Sequence, residues 1–135
     1  MKDYSKIDNE VNAVSDTIWD MATNVWKFAE LGYGEVKSSA YESAALAKQG
    51  FQITDRGIGG MDTSWIATWG NGSPVVGFLV ECDALPGLGN EAAPTKTPRK
   101  DGVTNGHGCC HNLIGSGSIG AAIALKALIE KKGGV

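Results

Sequence analysis

Both histidines of the chain fall within one hexapeptide, His107-Gly108-Cys109-Cys110-His111-Asn112, together with two of its three cysteines. Cysteine thiolate and neutral imidazole are the preferred protein ligands of zinc. In Cys109-x-His111 two of them stand two residues apart, a spacing that turns both side chains the same way in an extended segment. A single cysteine is more often a small buried hydrophobe. Two histidines and two cysteines in six residues favour metal binding over that plainer reading. Zinc takes three or four protein ligands, more than the hexapeptide offers in good geometry. Glu81 and Asp83 are the candidates to complete the set, as direct ligands or as carboxylates that fix the tautomer of a liganding imidazole. Their plainer role is as ordinary charges at a strand end. With no third histidine in the chain, a dinuclear site is short of ligands within these residues.

Other chemistries are less well served. Cys110 beside His111 has the composition of a nucleophile and base, but such dyads are normally assembled from separated segments. The neighbouring Cys109 and Cys110 lack the C-x-x-C spacing of thioredoxin-like redox sites. Gly115-Ser116-Gly117-Ser118-Ile119-Gly120 matches the G-x-G-x-x-G dinucleotide pattern and opens a helix. No strand precedes it, however, and the acidic residue wanted about 20 positions on is missing. Its small residues are better explained by close packing of the helix's first turn against a crowded site. All twelve Lys and Arg lie outside residues 57–95, where Asp62, Glu81, Asp83 and Glu91 fall. That acidic stretch suits a cation as well as it suits a solvated loop.

The elements that must position these residues follow from periodicity. Ile7, Val11, Val14, Ile18, Met21 or Ala22, Val25, and Phe28 or Ala29 draw one helical stripe, with Ser5 and Asp8 as a capping pair and Gly32 as a left-handed stop. Trp19 and Trp26 lie beside the stripe and are expected to be buried. Ser39 to Glu42 reads as a capping box for a second helix ended by Gly50. Residues 51–54 read as a strand. Residues 65–69 and 75–80 read as an antiparallel pair joined through Asn71-Gly72, the second an interior strand covered on both faces. Residues 84–110 are irregular, and a last helix runs from about Gly115 to Lys132, closed by Gly133. This order predicts an α/β domain, helices on a central mixed sheet.

Composition sets the outer bounds. The chain has 135 residues, 42% hydrophobic and 20% charged, with a net charge of −3. That excludes a disordered acidic tail and a strongly basic nucleic-acid module. No run approaches about 18 uninterrupted apolar residues, and the opening residues hold no apolar core of a signal peptide, so a cytoplasmic protein with no membrane partner is expected. Three cysteines without such a signal argue against a disulfide framework.

The order of motifs resembles a known family. Glu30-Leu31-Gly32-Tyr33-Gly34-Glu35, Gly50-Phe51, Gly57-Ile58-Gly59-Gly60, Gly70-Asn71-Gly72-Ser73-Pro74-Val75, Glu81-Cys82-Asp83-Ala84-Leu85-Pro86-Gly87-Leu88 and residues 107–112 are similar to the metal-dependent amidohydrolases of the aminoacylase and carboxypeptidase superfamily. The nearest branch looks like the aminobenzoyl-glutamate and indole-acetyl-amino-acid hydrolases, and the likeness runs from about residue 10 to near the end.

The resemblance implies a three-layer α/β/α catalytic domain with a central mixed sheet, of which residues 1–135 form the N-terminal part, without the lid and dimerisation domain. It implies Cys109 and His111 as ligands of a divalent metal, zinc or manganese. Asp83 is implied as the catalytic carboxylate that orients the site, and His107 as a residue behind the ligands. Glu81 stands where the wider superfamily has a liganding histidine. The implied reaction is metal-dependent hydrolysis of the amide of an N-acyl amino acid such as aminobenzoyl-glutamate, or of a peptide-like amide, with a glutamate deprotonating the attacking water. The catalytic glutamate pair and a further histidine fall downstream of the matching region. The 135 residues alone are therefore expected to be inactive, with a complementary C-terminal chain or a homo-oligomer as partner. The alternative is a non-catalytic α/β module that binds metal or such a chain. Cys110 replaces the family's glycine, which predicts strain if that glycine needs a left-handed backbone.

Overall fold

Two short helices open the structure, a computed structural model describing residues 3–134. Helix α1, Ser5–Ala13, and helix α2, Ser15–Phe28, share the expected apolar stripe but break at Val14 (φ −107°, ψ 7°), so the single predicted helix is two. Asp3, not Asp8, caps the start, its Oδ1 accepting the Ser5 N–H at 2.9 Å. The left-handed stop is Ala29 (φ 45°, ψ 45°) rather than Gly32. Met21, Ala22 and Val25 are buried on α2, while Trp19 is 66% exposed against expectation. Trp26 is half-buried beneath the Arg99 guanidinium, 4.3 Å from its ring centre.

Helix α3, Val36–Lys48, starts three residues before the predicted capping box. The cap comes from Glu30, whose two carboxylate oxygens accept the Lys37 N–H at 3.0 Å and the Ser38 N–H and hydroxyl at 2.8 and 2.9 Å. Gly50 ends the helix region at φ 84°, as its position predicts. Strand β1, Gln52–Arg56, then pairs antiparallel with β2, Trp65–Thr68, around a bulge at Thr54. The hairpin thus joins β2 to the strand before it, not to residues 75–80. Glycines 57, 59 and 60 all take positive φ and reverse the chain through the 3₁₀ turn Ile58–Gly60. Ser64 locks that turn, its Oγ accepting the Ile58 N–H at 2.7 Å. Residues 75–80 have no strand partner among the described residues. Val75 is 90% and Leu79 87% exposed, and only Val80 reaches the core.

Helix α4, His111–Lys131, begins four residues earlier than periodicity suggested, directly after Cys110, and closes with Gly133 at φ 74°. Its Ile119 and Ile123 pack with Met21 and Val25 of α2 and Leu46 of α3 into the core, with Phe51, Trp65 and Ala67 covering it from the hairpin. By length and a mean hydropathy of 1.5 the helix could cross a membrane, although polar residues interrupt it; here it packs against α1, α2 and α3. The described residues therefore form four helices and one two-stranded antiparallel sheet, and a central mixed sheet is not seen among them.

Candidate metal centre

Three anchors bring the chemical residues together. Residue 84 is held to the α2–α3 turn, its N–H donating to the Glu30 carbonyl at 2.7 Å, with Leu31 and Ala84 bridged in parallel. Leu85 and Gly106 exchange two backbone hydrogen bonds at 2.9 and 3.0 Å, which ties the Asp83 segment to the residues leading into the hexapeptide. Arg99 fixes the long irregular segment, donating to the Trp26 and Lys27 carbonyls at 2.9 and 3.2 Å while pairing with Asp101. Those carbonyls lie in the last turn of α2, where a cation is favoured.

The early start of α4 makes His111 its first residue. The imidazole donates from Nδ1 to Asp83 Oδ1 at 2.8 Å, which fixes both ring and tautomer. Its Nε2 faces Glu81 Oε2 at 3.3 Å. A neutral ring bound in this way turns a lone pair toward the carboxylate, and two acceptors this close repel unless a proton or a cation is shared between them. Two donor atoms each about 2.0–2.1 Å from one tetrahedral ion lie about 3.3 Å apart, so the pair has the spacing of a shared ion as well as of a shared proton. Asp83, Glu81 and His111 are thus brought together. Cys109 and Cys110 stay exposed, and among the described residues no three His, Cys, Asp or Glu side chains converge to hold an ion.

His107 turns the other way. Its Nε2 lies 3.1 Å from the Val25 carbonyl, and its Nδ1 is buried without a partner among the described residues. Burial lowers its pKa below the ordinary histidine value, so it serves as a neutral strut between the loop and α2. Asn112 does similar work, donating to the Ala22 carbonyl at 3.1 Å. The glycines of the dinucleotide-like pattern serve packing. A β-carbon on Gly115 would overlap the Glu81 carbonyl, and one on Gly120 would overlap Ile18, while Gly117 faces open space. Gly115 therefore lets α4 lie directly against the Glu81 backbone.

Glu42 is the residue that sequence reading misassigned. Read as part of a capping box, it is wholly buried, and neither carboxylate oxygen has a hydrogen-bond partner among the described residues. Burial pushes its pKa up to about 8, the neighbouring Cys82 thiol pulling the other way. The same burial, and then the charge of Glu42, push the Cys82 thiol up. The signal lay in the spacing of Ser38, Ser39, Glu42, Ser43 and Leu46, a helical face of small residues closed by leucine, all buried. An open cleft between α2 and α3, lined by Asp16, Asp20, Tyr41 and Lys48, shares no residue with this cluster.

No family model matches the chain. It is 36% identical over 130 residues to a subunit of the p-aminobenzoyl-glutamate hydrolase of Escherichia coli (strain K12), an alignment covering 96% of this chain and 27% of that protein. The chain thus spans about a quarter of the length of the curated relative it matches, and nearly all of it takes part in the likeness.

Proposed function

We propose that this relative of an aminobenzoyl-glutamate hydrolase subunit carries one wall of a divalent-metal amidohydrolase site, acting on the amide of N-acyl amino acids such as p-aminobenzoyl-glutamate. The observation that carries the proposal is the chain of contacts from Asp83 through His111 to Glu81. Asp83 accepts the Nδ1 proton and holds the ring, so Nε2 is the free donor and meets a carboxylate oxygen at 3.3 Å. Cys109, two residues before His111 and exposed, does not converge on them in the structure and would have to turn inward to add its thiolate. Zinc or manganese bound by His111, Cys109 and Glu81 would polarise the scissile carbonyl and activate a water for attack. Asp83 acts behind the ligands as the orienting carboxylate, and His107 and Asn112 hold the loop on α2.

The chain's likeness to only a quarter of a longer protein, itself named as a subunit, supports a division of the site. In this reading a glutamate base and further ligands come from polypeptide beyond these 135 residues, in the same chain or in a companion one. The three-layer α/β/α architecture belongs to that larger assembly, in which residues 75–80 would find strand partners and cover.

Two measurements on the purified chain test this: zinc stoichiometry by titration, and release of glutamate from p-aminobenzoyl-glutamate with added zinc or manganese. The expected result is one zinc per reduced chain, lost in His111→Ala, with no amide turnover by the chain alone. Absence of zinc binding would overturn the reading. Turnover by the chain alone, lost in Cys109→Ala, would place the base within these residues and overturn the division.

A further inference from the structure

Cys109 and Cys110 are neighbours and both exposed, whereas Cys82 packs against the core, so two of the three thiols share one accessible corner. The backbone makes that corner stiff. The Cys110 N–H donates to the His107 carbonyl at 2.9 Å, closing a turn through Gly108 and Cys109. The Cys110 carbonyl in turn accepts the Leu113 and Ile114 N–H groups at 2.8 and 2.9 Å, fastening it to α4. Between these ties Cys110 sits in the left-handed region at φ 64°, ψ 25°, where a side chain other than glycine is disfavoured. A glycine would meet the backbone requirement without that cost. The proposed metal site uses one thiol, and the second one is what the strained position adds.

We propose that Cys109 and Cys110 form a two-electron redox pair, closed by a peroxide to a vicinal disulfide that withdraws the Cys109 thiolate from the metal centre. The switching role rests on the reading of Cys109 as a ligand; the redox pair does not. In the first step the Cys110 thiolate attacks one peroxide oxygen. The O–O bond breaks, leaving a sulfenic acid on Cys110 and a hydroxide that takes up a proton. In the second step the Cys109 thiolate attacks the Cys110 sulfur. The S–S bond forms, the S–O bond breaks, and a second hydroxide leaves and is protonated. Two thiols and one hydrogen peroxide thus become one disulfide and two waters, with two electrons passing from sulfur to peroxide oxygen. Adjacent α-carbons are about 3.80 Å apart, short of the usual 4.4–6.8 Å across a disulfide, so the ring is strained and readily reduced again by a dithiol. That suits a reversible device rather than a structural bridge.

The test treats the reduced, metal-free chain with hydrogen peroxide and follows intact mass, peptide mapping and zinc affinity by competition with a chromophoric chelator. The expected product has lost two hydrogens within the single peptide holding Cys109 and Cys110. Its zinc affinity falls about tenfold or more, and a dithiol reductant restores both mass and affinity. Cys82→Ala forms the same product. Cys110→Gly does not form it and, untreated, binds zinc as the parent does. Oxygen adducts on separate cysteines, or disulfide-linked dimers in place of the internal bond, overturn the pair. The internal bond with unchanged zinc affinity overturns the switch. A reduced chain that takes up no zinc overturns the metal reading, and the mass change in that same sample still decides the redox pair.

Discussion

Cys110 stands at φ 64° in a place where the resemblance expects glycine, and the expected strain is there in the backbone. Replacing Cys110 by glycine removes the clash between its β-carbon and the left-handed backbone. It should stabilise the chain by about 1 kcal/mol, read as a higher urea midpoint at unchanged slope. A lower midpoint would mean that the thiol makes a compensating contact. Glu42 gives a prediction with a pH sign. Its folded pKa, about 8, lies above its ordinary 4.5, so between those values the folded chain holds a proton that the unfolded chain has released. Stability is therefore full below about pH 4.5, falls as pH rises, and levels off above about 8. Glu42→Gln should flatten this slope and stabilise the chain at neutral pH by about 2 kcal/mol, the buried amide still lacking partners. Parallel pH profiles for the two proteins would contradict the burial argument.

The first turn of α4 is where sequence and structure part most usefully. Its hydrophobic period, carried by Ile119 and Ile123, was legible, as was the packing purpose of its glycines. Its start was not, because Cys110 must take a left-handed conformation to begin it and no side-chain pattern announces that. Those four residues decide that His111 begins the helix and meets Asp83. The split between α1 and α2 was equally hidden, since the apolar stripe continues across Val14 while the backbone does not. Asn71-Gly72 was a sound hairpin signal, but glycines 57, 59 and 60 with Ser64 closed a competing hairpin first in the chain. Within the site, the sequence offered Asp83 and Glu81 as carboxylates that could steady a liganding imidazole, and only the fold pairs Asp83 with His111. The inward turn of His107 and the burial of Glu42 depended on neighbours far away in sequence. Substitution in α4 tests the packing claim. Gly115→Ala should cost about 2 kcal/mol and weaken zinc binding by pushing the helix off the Glu81 backbone. Gly117→Ala, facing open space, should be neutral or stabilising by up to about 1 kcal/mol. Equal effects at the two positions would contradict the close approach.

Taken whole, the molecule buries one core among α2, α3, α4 and the hairpin, yet leaves the apolar residues Val75, Val76 and Leu79 in solvent beside the metal-centre segment. An extended apolar segment without a strand partner is a template for pairing, so the chain should self-associate as its concentration rises. Leu79→Lys should shift sedimentation toward the monomer while changing stability by less than about 0.5 kcal/mol. A parent chain that sediments as a monomer throughout would contradict this. Whether one thiolate and one carboxylate-held imidazole serve a single divalent cation is decided by titrating the reduced chain with cobalt(II) and recording its absorption spectrum. A single saturating site with a near-ultraviolet thiolate-to-cobalt band, missing in Cys109→Ala and weakened in Asp83→Asn, is the predicted result. Saturation without that band, or a spectrum indifferent to both substitutions, would contradict it.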